Sequence, residues 1–167
     1  MDLAAVGDPL GRAFSLRSLA FVMEESGDIR GAGRRFEEAR AALLKLGGHG
    51  GAAEALAGMA RCAFAQGDLE GAKRHASELW AYLQIHGSTG PIEMPALTYQ
   101  TCADIFDALG EPELARAPRE AGYRDLMERA EKISDPEWRK SFLENIPEHR
   151  ALVDMWERMA GETPRPR

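Results

Sequence analysis

Apolar residues recur at three- and four-residue steps along almost the whole chain, and the strict alternation of a half-buried strand is absent. The pattern predicts an all-α protein of about eight helices, punctuated by Gly, Asp and Pro. Asp8-Pro9 joins an N-cap to a proline in the first turn and starts a helix that should reach about Ser26. Gly27 then closes it, and Asp28 caps a second helix to about Leu46. The run Gly47 to Gly51 reads as a flexible connector before a third helix over about Ala52 to Gln66. Asp68 caps a fourth, from Leu69 to His86. Gly87 to Pro91 marks a break and a new start, and the fifth helix runs from there to about Leu109. A sixth is expected from Pro112 to about Ile133. Ser134-Asp135-Pro136 starts a seventh, ending near Asn145, and Pro147 opens an eighth, ending near Ala160. The tail from Gly161 to Arg167 is expected to be disordered.

Within this pattern lies a repeat. Gly-Asp-Ile-Arg-Gly-Ala at Gly27–Ala32 returns as Gly-Asp-Leu-Glu-Gly-Ala at Gly67–Ala72, and blurred as Gly-Glu-Pro-Glu-Leu-Ala at Gly110–Ala115. Seven residues before each leading glycine stands an alanine, Ala20, Ala60 or Ala103. Five residues after it stands another, Ala32, Ala72 or Ala115. Antiparallel helices joined by a tight turn approach closely only where their side chains are small, so Ala20 should face Ala32. One such hairpin cannot bury its apolar face alone, and the units are expected to stack.

These residues resemble the tetratricopeptide repeat, whose signature sets large residues around a small one on the first helix and alanines on the second. Leu16, Leu19, Ala20, Met23, Ala32, Phe36 and Ala39 carry the likeness in the first copy. Leu56, Met59, Ala60, Ala63, Ala72 and Ala76 carry it in the second, and Tyr99, Cys102, Ala103, Phe106 and Ala115 in the third. The leading glycines are 40 and then 43 residues apart, against about 34 in the usual repeat. This is similar to the long-helix arrays at the C-terminal ends of large bacterial signalling and transcriptional regulators. The segment from Ala130 to Trp156 looks like the ending of such arrays. The resemblance covers about residues 8–160. It implies a right-handed α-solenoid of three hairpins plus a C-terminal helix pair, forming a single domain over residues 1–160. It also implies a concave groove lined by the first helix of each pair, which takes a peptide or protein partner. On that mapping the first helix offers Arg17, Phe21 and Glu24, and the third offers Glu54, Arg61 and Phe64. The fifth offers Gln100, Asp104 and Asp107. The groove lacks the Lys/Asn set that would clamp a C-terminal carboxylate.

Charge and composition narrow the partners. A net charge of −6 gives no cationic face for nucleic acid. No apolar run approaches the ~20 residues of a membrane span, and the N-terminal segment has no signal-peptide pattern, so a cytoplasmic protein is expected. The Arg-over-Lys bias and a single asparagine point to a GC-rich bacterial genome.

Candidate chemistry is sparse. His49, His75, His86 and His149 show no i, i+4 metal spacing, and neither a phosphate loop nor a nucleophile elbow is present. No metal, cofactor or catalysis is therefore expected. Cys62 and Cys102 sit in apolar helical contexts and read as buried reduced thiols. The adjacent carboxylates Glu24-Glu25 and Glu37-Glu38 read as solvated. Among the aromatics, Trp80, Tyr82, Tyr123, Phe142 and Trp156 read as packing, while Trp138 beside Arg139 is the candidate for an exposed interaction hot spot.

The expectation is a non-catalytic protein-interaction scaffold. The alternative is a sensor domain that holds a peptide or small-molecule signal in the groove. The first helix is apolar on more than one side, so that end should be covered by further repeats or by a second copy of the chain.

Overall fold

The computed structural model describes the backbone of residues 8–88 and 92–162, with side chains as far as residue 159. Among these residues it is all-helical, with eight α-helices. The expectations for the N-terminal segment, for a start at Gly90-Pro91 and for the tail beyond Glu162 lie outside the described residues. No described helix is long and apolar enough to cross a membrane.

The chain divides into two compact units, Met1–Glu93 and Met94–Arg167. In the first unit, α1 (Pro9–Glu25), α2 (Ile29–Lys45), α3 (His49–Ala65) and α4 (Leu69–His86) pack each against the next, and α1 also touches α3. In the second, α5 (Pro95–Ala108) packs on α6 (Pro112–Glu131). There α7 (Pro136–Glu144) and α8 (Pro147–Glu162) close the unit, α8 resting on α5, α6 and α7.

Four of the six positions of the repeated hexapeptide have a local physical explanation. Gly27 and Gly67 hold φ of +88° and +80°, a left-handed conformation open to glycine at no steric cost. Asp28 and Asp68 then cap the following helices, each accepting from a glycine N–H three residues on, at 2.9 Å. Those glycines, Gly31 and Gly71, leave room for the capping carboxylate, since a Cβ there would lie 2.1 Å from its oxygen. The closing alanines, Ala32 and Ala72, are fully buried. Ala20 and Ala32 share one core cluster with Phe36, Ala55 and Cys62. In the blurred third copy Glu111 makes no side-chain cap bond, and Leu114 replaces the glycine on an exposed site.

Two helix starts differ from the sequence expectation. The third helix begins at His49, not at Ala52, and the segment Gly47 to Gly51 is not a flexible connector. Gly47 (φ +74°) makes a left-handed turn of the same kind, and Gly50 and Gly51 are buried in the first helical turn. A Cβ on Gly51 would meet the Phe14 ring at 2.7 Å and Leu43 Cδ1 at 3.2 Å, so glycine here permits close packing. Positive-φ glycines stand at 27, 47, 67, 87 and 110, the first four 20 residues apart and the last 23 residues further on. The fifth helix begins at Pro95, and not in the Gly87–Pro91 break, because Pro95 supplies the first-turn proline.

Both cysteines are buried thiols. Burial pushes the Cys62 thiol up from about 9.0 to about 11, and drives Cys102 up as well. Tyr99, also buried, is pushed up to about 12. The folded state therefore keeps its protons at a pH where the unfolded chain has lost them. The contribution of these groups to stability is complete below pH ~9 and declines as pH rises through the folded values. Urea midpoints measured between pH 8 and pH 11 should fall steadily. In native protein at pH 8 both thiols should resist a thiol reagent that labels them at once in urea. Rapid labelling without urea would contradict their burial.

Candidate functional site

Six of the nine residues expected to line a groove lie in the first unit, on the adjoining helices α1 and α3. Most of them engage one another. Arg17 and Glu54 form an ion pair with both side chains buried. Arg61 donates to Glu24 through Nε and Nη2, both at 2.7 Å, a bidentate arrangement. The two pairs run in opposite directions across the helices and tie α1 to α3 at two levels. Each guanidinium also lies over a ring: Arg17 over Phe14 at 5.0 Å and Arg61 over Phe21 at 5.6 Å. Phe21 meets Phe36 edge-on with centroids 5.0 Å apart. Phe64 is the exposed member of this set. Glu24, read from sequence as solvated, is half-buried because Arg61 holds it.

A residue the sequence reading passed over completes this cluster. Glu93, on the short segment that follows α4, places its carboxylate 2.5 Å from Arg17 Nη2. Its own N–H donates to Glu54 Oε1 at 2.8 Å. The adjacent Ile92 is buried. Nothing in the local sequence signals this, since Glu93 is one acidic residue in a break between helices.

The three remaining groove residues lie on α5 in the second unit. Gln100 is half-buried, Asp104 is exposed, and Asp107 pairs with Arg119 of α6.

The second unit presents a different feature. Trp138 on α7 is 73% exposed, whereas the only other exposed aromatic among the described residues, Phe64, is 37% exposed. Tyr123 and Trp156 stack at 4.6 Å and 7°. Trp138 borders an open hollow of about 480 Å³ with Ile133, Ser141, Phe142, Asn145 and Ile146. Three fixtures hold this platform. The Asp135 carboxylate accepts from the N–H groups of Glu137 and Trp138, at 2.9 and 3.1 Å. Arg139 donates to the Ile133 carbonyl from Nε and Nη2, at 3.0 and 2.8 Å. His149 Nδ1 lies 2.7 Å from the Phe142 carbonyl, so that nitrogen carries the proton and donates it. Arg139, paired with Trp138 in the sequence reading, is thus a clamp on the preceding turn. No residue of α7 is fully buried, and the helix is held by its end contacts and by Phe142 and Leu143, which pack against the Ala96, Leu126 and Leu152 cluster.

Comparison with protein-family models, with characterised proteins and with solved structures gives no match. What the fold and sites define is an all-helical protein whose α1 and α3 are cross-linked by charge and whose α7 carries an exposed tryptophan on a rigid apolar ledge.

Proposed function

We propose that this chain is a non-catalytic protein-interaction scaffold of tetratricopeptide-like helical hairpins, a module of a bacterial signalling or regulatory protein. The observation that carries the reading is the Trp138 ledge. An exposed indole over a pre-formed apolar hollow is costly to leave in water, and Trp is among the residues that dominate interface energetics. The hollow is apolar in lining and open to one side. It suits an apolar side chain projecting from a partner's helix or extended segment. Selection of displayed peptides against the whole protein tests this. Peptides with a large apolar anchor should enrich and bind, and Trp138→Ala should weaken them at least tenfold while the melting curve barely moves. Equal binding by Trp138→Ala would remove the ledge from the interface. The sensor alternative draws less support, because Arg17, Glu24, Glu54 and Arg61 are engaged with one another.

A second copy of the chain is a further partner to test. Val22 and Leu19 on α1 are 65% and 46% exposed, in keeping with an end that is covered in the assembled protein. Light scattering across a dilution series should show a dimer or larger species that Val22→Glu disperses. A monomer at every concentration would end this part of the proposal.

A further inference from the structure

Arg17 and Glu54 are too well buried to be read as a free groove, and one face of their pair is occupied by a segment that lies outside the helices. That occupant is the dipeptide Ile92-Glu93. It is held by three contacts: the buried Ile92 side chain, the Glu93 N–H on Glu54 Oε1, and the Glu93 carboxylate on Arg17 Nη2. The last of these reaches the surface, since the Glu93 side chain is 64% exposed. The other side of the guanidinium is already committed to Glu54 and stacked over Phe14, so its orientation is fixed without Glu93. Arg17 Nε finds no hydrogen-bond partner among the described residues, which leaves this buried cation short of acceptors.

From these contacts we infer that the Arg17–Glu54 notch is a recognition site for an extended peptide carrying an apolar residue followed by Glu or Asp, and that Ile92-Glu93 is its built-in competitor. The chemistry is specific to that dipeptide. Glu54 requires a backbone N–H, Arg17 requires a carboxylate, and both must come from the same residue. An ion pair with one exposed partner contributes little net energy. The resident segment is held by the buried Ile92 side chain and the Glu93 N–H bond, and its tether gives it an effective concentration in the millimolar range. A partner presenting the same dipeptide with better flanking contacts displaces it. The site lies wholly in the first unit and is independent of the Trp138 ledge.

The probe is a fluorescent, acetylated peptide of sequence Pro-Ile-Glu-Met-Pro, titrated by anisotropy into the full-length chain. Glu93→Pro removes the N–H and the carboxylate together, and so takes away two of the three contacts that hold the resident segment. This variant should bind the probe at least tenfold more tightly than the parent. Two altered probes identify the contacts: replacing Glu by Gln, or methylating the Glu nitrogen, should each abolish the gain. A folded Glu93→Pro protein that binds no better than the parent would overturn the inference. So would a gain that both altered probes retain, since that means binding elsewhere. Should Glu93→Pro fail to fold, Glu93→Ala serves with the same probes. It keeps the N–H and should gain about threefold, and no gain there is equally fatal.

Discussion

Replacing Phe36 with Ala should cost the first unit about 3–5 kcal/mol, the usual range for deleting a buried ring. Phe36 is fully buried and joins α1, α2 and α3: it meets Phe21 edge-on and packs with Ala20, Ala55 and Cys62. Its ring lies where the α3 backbone is bare. A Cβ on Gly58 would fall 2.4 Å from two ring carbons and 2.6 Å from a third. The ring and the glycine are therefore one device, and their substitutions should not add. Gly58→Ala alone should destabilise by about 1–3 kcal/mol through overpacking, although alanine is the better helix former. In a Phe36→Leu background the same change should be close to neutral, because the ring that it struck is gone. Urea unfolding followed by far-UV circular dichroism, with hydrogen exchange on α2 and α3, measures all four corners. Simple additivity would mean that ring and glycine do not meet.

Arg17→Met is expected to be comparably damaging, about 3–5 kcal/mol, for an electrostatic reason. It leaves the Glu54 carboxylate buried without its cation. Glu54→Leu should cost less, because Arg17 keeps the Glu93 carboxylate. The double variant Arg17→Met/Glu54→Leu should recover most of the loss, because a buried ion pair and a well-packed apolar pair often differ little in net stability. What remains should be of the order of 1 kcal/mol, the hydrogen bond that Glu93 N–H makes to Glu54. The same variants across Glu24 and Arg61 should show smaller effects, since those side chains are partly solvated. If the double variant lost as much as the two singles combined, the pair would not be the coupled unit described here.

The sequence by itself determined the eight helices and most of their ends. Caps, first-turn prolines and left-handed glycines act within a few residues, so their information is local. Asp28 and Asp68 cap where expected, and Pro112, Pro136 and Pro147 open their helices. The buried thiols and the burial of Ala20 and Ala32 were also legible, from apolar periodicity and from the repeat. The sequence reading failed where a local signal had a distant cause. Gly50 and Gly51 look like a linker, yet Gly51 is small because Phe14, some 37 positions earlier, fills the space above it. Composition also gave no way to foresee how the charges would be used. Arg17, Glu54 and Glu93 come from three separate segments, and only chain folding brings them within hydrogen-bond distance. Trp138 could be named as a candidate from its residue type. Its exposure follows from α7 turning Phe142 and Leu143 to the core, which leaves the side that carries Trp138 uncovered. Local chemistry fixed the elements, while long-range packing decided which polar and aromatic groups are satisfied internally and which face outward.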